Sequence, residues 1–320
     1  MEKSTTAVAA LSDAPQVGES RWRTDRRVLG YAVFVGVLSL VFLFPLIGLV
    51  RHALKEELHS HILLIPLVSL YLAGIQADSL PRKRWSSPLG AVLFALAAVA
   101  VYFGPRLAGI GGGWSHNDQL AQSTACYVLL LVAGGFSILG MPWMRLLAFS
   151  FAFLIFMVPL PDLLIEGLEA LLMRLSADLA GVLFYLTGTP IHRAGQVIEL
   201  PGMVLEVARE CSGIRSTLVL FITSLLASYL FLESSLHRGL LVAMVIPLGI
   251  LRNALRVLVI GLLCDHYGPE MIDSWIHHRG GPLFFAASLV PLFLVAALCR
   301  RRELKRAHPE NESDSALRDA

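Results

Sequence analysis

Leu205-Glu206-Val207-Ala208-Arg209-Glu210-Cys211-Ser212-Gly213-Ile214-Arg215-Ser216 is the stretch on which the reading of this chain turns. A strand-like run (Val197-Ile198-Glu199-Leu200, then Met203-Val204-Leu205) comes before it, and an apolar run from Ile214 to Leu232 follows directly. The cysteine therefore stands where exposed backbone gives way to a helix apolar enough for a membrane. The first turn of a helix has N–H groups without partners inside the helix, and the field there favours an anion. Arg209 and Arg215 add positive charge on either side. Both effects favour the thiolate, which is the nucleophilic form of cysteine. Taken alone, a cysteine at a helix start is more often a small buried residue, so its company decides.

The chain around it is that of an all-α polytopic membrane protein. Its 320 residues are 56% hydrophobic and only 16% charged, outside the range of an ordinary soluble domain. Long apolar runs alternate with short charged clusters, the pattern of repeated membrane crossing. The net charge is +2 and the basic residues fall in loops rather than along one face, so no nucleic acid is expected as a partner; the first partner is the lipid bilayer. Four cysteines (Cys126, Cys211, Cys264, Cys299) are too few and too scattered for a disulfide scaffold or a metal site. No metal or other cofactor is expected. Residues 1–20 are polar and Ala-rich, which predicts a disordered tail rather than a cleavable signal peptide.

The apolar runs predict about eight spans, at 28–50, 61–77, 88–104, 124–140, 146–160, 213–232, 239–263 and 282–299. The domain boundaries follow: a tail over 1–27, a transmembrane domain over 28–299, and a basic, disordered tail over 300–320. Within 161–187 the charges Glu166, Glu169, Arg174 and Asp178 sit among leucines at helical spacing. Four charges in one lipid-facing span would cost a few kcal/mol each, so an amphipathic helix at the interface is expected there. Residues 191–207 alternate enough for a short extended hairpin. With eight spans, the N-terminal arginines, Arg82-Lys83-Arg84, Arg145, Arg238 and the Arg300–Arg306 cluster all share one side. The positive-inside rule makes that side the cytoplasm. Both termini are then cytoplasmic, while the hairpin, Cys211 and the loop Cys264–Gly281 face outward.

Two more groups could join Cys211. Arg252 and Arg256 lie one helical turn apart in the seventh span, with Asn253 beside them. An arginine inside a membrane usually faces a partner or a watery cavity. Arg256 is eight residues before Cys264, about 12 Å of helix, which is a long way to snorkel, and it is the stronger candidate of the two. The next loop carries His277 and His278 on the same side as Cys211. Cysteine, histidine and a cationic donor suffice for acyl transfer as nucleophile, proton shuttle and oxyanion stabiliser.

Residues from about 60 to 285 resemble the exosortase family, relatives of the archaeosortases. The matching stretches are Ser60-His61 through Pro66-Leu67-Val68-Ser69-Leu70-Tyr71-Leu72, Val158-Pro159-Leu160-Pro161, Gly188-Thr189-Pro190-Ile191, and Gly195-Gln196-Val197-Ile198. They continue with Leu205-Glu206-Val207, Cys211-Ser212-Gly213-Ile214-Arg215-Ser216, Arg252-Asn253-Ala254-Leu255-Arg256, and His277 with Gly281 and Phe284-Phe285. The resemblance implies a bacterial inner-membrane counterpart of sortase that cuts exported proteins within a C-terminal sorting signal: a short motif such as Pro-Glu-Pro, an apolar helix and a basic tail. Transfer to an acceptor is implied too, with lipid- or polysaccharide-linked acceptors as candidates. By the same resemblance Cys211 is the nucleophile, Arg256 the transition-state stabiliser and His277 the general acid and base, supported by Asn253, Glu206 and Arg215. His278, directly beside His277, is the alternative proton shuttle.

Two other functions are compatible with a polytopic membrane protein of this composition. A transporter or flippase tied to exopolysaccharide export would need a polar path through both leaflets, whereas Arg252, Asn253 and Arg256 cluster in the outer half. A non-catalytic membrane scaffold could join Cys211 to Cys264 in a structural disulfide.

Overall fold

The computed structural model describes residues 26–81, 87–109, 111–200, 203–206, 213–268, 270–271 and 281–307. The chain packs as two compact units, Met1–Asp162 and Leu163–Ala320.

The first unit is built around α5 (His116–Gly134, continued to Leu139 by a π-helical turn). Ser115 caps it, its hydroxyl accepting from the Asp118 amide at 3.0 Å and satisfying one of the donors a helix start leaves open. Helices α1 (Arg26–Val41) and α2 (Leu43–Lys55) meet at a bend of 79°, yet together they follow α5 from end to end. Tyr31 donates to the Leu131 carbonyl at 3.0 Å, the Ser39 and Tyr127 hydroxyls are 2.8 Å apart, and His52 stacks edge-on to His116. The bent pair therefore lies along α5, antiparallel to it. Next come a 3-10 segment at Glu57–Leu63 leading into α3 (Ile65–Ile75), and α4 (Pro88–Leu107). Helix α4 runs antiparallel to α5: Phe94 stacks on Phe136 with centroids 5.5 Å apart, and Gln122 donates to the carbonyls of Val101 and Tyr102.

The fifth crossing, expected over 146–160, consists of three short pieces: α6 (Met141–Leu146), α7 (Ala148–Phe153) and a 3-10 turn at Leu154–Met157. None of them is long enough to cross alone. The ends settle the matter. Trp143 donates to the Pro81 carbonyl and lies under Arg27, while the Leu160 carbonyl accepts from Asn117 at the start of α5. The segment thus joins opposite ends of the same helix.

The second unit opens with α8 (Asp162–Thr187, its first residue counted with the first unit), a single 26-residue helix. A three-stranded antiparallel sheet follows: β1 (His192–Ala194), β2 (Val197–Leu200) and β3 (Met203–Glu206), in the order β1-β2-β3. The expected hairpin is therefore a meander with one more strand. Ala194 pairs with Val197, leaving Gly195-Gln196 as a two-residue turn. Gly195 has φ +66°, the conformation that such turns demand and that glycine adopts without strain. Helices α9 (Ile214–Phe231), α10 (Ser235–Ala243), α11 (Val245–Tyr267) and α12 (Gly281–Ala307) complete the unit. Helix α12 carries the chain eight residues past the expected end of its span.

Among the described residues, seven helices, or eight with the bent pair, are long and apolar enough to cross a membrane, α8 among them. This differs from the amphipathic helix expected over 161–187, although one contact of α8 is polar. Arg193 of edge strand β1 lies against the middle of α8, paired with Asp178 and beside Gly181. An open sheet edge in hydrocarbon would leave backbone groups without partners, which disfavours hydrocarbon around that part of α8. Helix α11 is the axis of the unit. One side of it (Ala254, Val257, Leu258, Ile260, Cys264) packs with Ile198 and Leu200 of the sheet and with Met173, Ala177, Ala180 and Phe184 of α8. Val245 and Leu248 pack instead with Leu220 and Ala227 of α9 and Leu292 and Ala296 of α12.

Candidate active site

Gly213 is the N-cap of α9, with φ +69° in the left-handed region. It is two residues beyond Cys211 in the sequence, and three donors converge on its carbonyl. The Thr217 amide donates to it at 2.9 Å and closes the first helical turn. The Ser216 hydroxyl donates at 3.1 Å, and Nη2 of Arg252 reaches across from α11 to donate at 3.1 Å. The same Nη2 lies 3.2 Å from the Thr217 hydroxyl. Arg252 is 7% exposed and Asn253 3%.

The two helices come close enough for this because Gly249 of α11 has no side chain. A Cβ there would stand 2.8 Å from the Thr217 hydroxyl. A Cβ on Gly213 would stand 2.9 Å from Arg252 Nη2 and 3.3 Å from Asn253 Oδ1. Two glycines thus hold open the space through which a buried guanidinium grips the turn. Nη1 of Arg252 is buried with no hydrogen-bond partner among the described residues. A buried donor left unpaired costs roughly 1–3 kcal/mol, so this atom is a donor held in reserve beside the turn.

Arg256 is half-buried one helical turn further along α11. Arg215 is exposed on the first turn of α9. Glu206 ends β3, opposite Val197 in the register. Cys211, His277 and His278 lie outside the described residues. The structure therefore brings together Gly213, Ser216, Thr217, Arg252 and Asn253. Arg252, the weaker of the two arginine candidates by spacing, bonds the Gly213 carbonyl at the start of α9. Its signal was present as a second arginine one turn before Arg256 in an apolar run, but spacing does not say which of two arginines meets a neighbouring helix.

Residues 51–294, more than three quarters of the chain, match the model of the transmembrane exosortases. The chain belongs to the transmembrane exosortase family. No curated protein and no solved structure matches it.

In this exosortase Cys264 is a free thiol, 4% exposed in the core between α11, α8 and the sheet. That finding removes the disulfide on which the scaffold reading rested. Helix α11 also runs to Tyr267 rather than ending at 263, because Asp265 and His266 continue the helix and the Gly268 amide closes it on the Cys264 carbonyl. Arg256 is accordingly about 16 Å from that end, at 1.5 Å per residue. Among the described residues, no group of three or more histidine, cysteine or acidic side chains could hold a metal ion.

Proposed function

We propose that this exosortase is a membrane-embedded cysteine peptidase and transpeptidase of the bacterial inner membrane. It cleaves exported proteins within a C-terminal sorting signal (short motif, apolar helix, basic tail) and passes them to an acceptor. The observation that carries the reading is the bond from Arg252 to the Gly213 carbonyl. It ties the N-cap of α9, two residues after Cys211 in the sequence, to the helix that bears Asn253 and Arg256. Catalytic groups positioned by packed helices keep the alignment that acyl transfer requires.

In this reading the Cys211 thiolate attacks the scissile carbonyl carbon and the carbonyl π electrons move to oxygen. Arg256 and Nη1 of Arg252 donate to the oxyanion, where fixed cations in a dry site act most strongly. The C–N bond then breaks, His277 delivers a proton to the departing amine, and an acyl thioester remains on Cys211. Attack by an acceptor nucleophile or by water, with His277 now taking the proton, releases the product and restores the thiolate. The substrate's apolar helix stays in the bilayer, so the site has to lie at the membrane surface. Arg27 and Arg145 mark one end of the first unit, and Arg238 and Arg300 mark one end of the second. The positive-inside rule assigns those ends to the cytoplasm and the Gly213 end of α9 to the periplasm.

The test is processing of a C-terminally tagged exported substrate in cells carrying Cys211→Ala or Cys211→Ser. Both variants should accumulate in the membrane and leave the substrate uncut, because without a strong base a serine hydroxyl cannot replace a thiolate. Processing that survives Cys211→Ala removes the nucleophile assignment.

A further inference from the structure

Beside the open edge of the sheet, the middle of α8 and the β1–β2 turn enclose a cleft of about 420 Å³ lined by Arg174, Asp178, Arg193, Gly195, Gln196 and Val197. Arg193 is held in place there. Its Nη2 pairs with Asp178, its Nε donates to the Gly195 carbonyl at 2.9 Å, and its Cδ packs over Gly181. Arg174 is one turn before Asp178 on the same face of α8. It has no hydrogen-bond or ion-pair partner among the described residues. Two guanidinium groups therefore face one carboxylate, leaving one positive charge unmatched, with the Gln196 amide as a neutral donor. A singly charged group with several acceptor oxygens fits this set, and a guanidinium fork matches phosphate oxygens in pairs.

The surroundings say what such a phosphate would be attached to. Elsewhere on α8, Leu163 is 81% exposed, Leu171 52%, Val182 54% and Tyr185 82%. Apolar faces of that kind rest against acyl chains, while the sheet edge keeps the cleft at headgroup depth. We propose that this cleft binds the phosphodiester headgroup of an anionic membrane phospholipid. The lipid would match the unpaired charge of Arg174 and hold α8 along the membrane surface. This site is separate from the catalytic reading and stands or falls without it.

The experiment is native mass spectrometry of the full-length protein in detergent, with phosphatidylglycerol, phosphatidylcholine or inorganic phosphate added. Phosphatidylglycerol should be retained in preference to phosphatidylcholine. Arg174→Gln should lower that retention about fivefold, the usual worth of one arginine near an anionic surface. Asp178→Asn releases Arg193 from its ion pair and should raise it. Arg106→Gln, an exposed arginine on α4 stacked on Tyr102, should match the wild type. Among the described residues the Arg174 side chain has no partner to lose, and an unchanged melting temperature would verify that its variant is folded. Equal retention in all four proteins overturns the proposal. So does displacement of the lipid by an equal concentration of inorganic phosphate or of an acidic peptide, since the cleft would then read a free anion and not a membrane lipid.

Discussion

The guanidinium of Arg252 stands where a side chain on residue 213 would have to go. Its Nη2 is 2.9 Å from the position of a Cβ on Gly213 and 3.1 Å from the carbonyl oxygen it bonds. Glycine and arginine are therefore one device: the first supplies the left-handed turn and the room, the second locks the turn to α11.

Gly213→Ala should damage the enzyme twice over. The left-handed conformation costs a non-glycine residue roughly 1–2 kcal/mol, and the new methyl pushes Arg252 off the carbonyl. A drop of several degrees in melting temperature and a loss of activity exceeding about tenfold are expected in a substrate-processing assay. Combining it with Arg252→Ala separates the two effects. If the contact matters, the double variant should lose less activity than the sum of the singles, because the guanidinium is no longer there to be displaced. Strictly additive losses would mean that the two residues act independently.

Gly261→Ala should test the other side of α11 without touching the catalytic turn. A Cβ at this position would collide with the ring of Phe184, which is fully buried, and would meet Leu200 Cδ1 at 3.5 Å. Overpacking of a filled core costs about 1–3 kcal/mol. Thermal unfolding in detergent should show that loss, and Phe184→Leu in the same chain should recover part of it. An unchanged melting temperature would contradict the packing of α11 on α8 and the sheet.

The membrane fold was legible because each apolar run is bounded by charge or glycine, and the first unit follows those runs closely. The break-up of 141–160 was not legible. That depends on Gly140 at φ 88° and on short helical pieces packed along α5, which hydropathy cannot register. Asp265 and His266 read as loop because they are polar, yet a helix end at a membrane surface tolerates polar side chains and needs only its backbone bonds. At the site, the motif around Cys211 marked the turn, and the Arg252-Asn253-Ala254-Leu255-Arg256 string marked the partner helix. That Arg252 reaches Gly213 depended on the close approach of Thr217 and Gly249, a property of two helices together.

Topology has a direct check. A reporter active only in the periplasm should give signal when fused after residue 270 and none after 236 or 305. The motive is the shared end of α10 and α12, where Glu303 accepts from the backbone amides of Glu233 and Ser234 and lies 2.7 Å from the His237 ring. Residues 236 and 305 must then lie on one side of the membrane. Signal from the 305 fusion would overturn both the eight crossings and the outward site.

The remaining question is which basic groups perform which step. Arg256→Lys keeps the charge but loses the planar fork of donors. If Arg256 holds the oxyanion, this change should cost on the order of a hundredfold in rate, the usual loss for one such donor. Arg252→Lys should do less to the chemical step and more to the turn, lowering the melting temperature along with activity. His277→Ala should be at least as severe as Arg256→Lys, since the amine could not leave without its proton. His278→Ala is the matched control. Each variant is measured on the same tagged substrate at equal membrane abundance. Activity lost with His278→Ala and kept with His277→Ala would move the proton shuttle by one residue and leave Cys211 and the arginines in their roles.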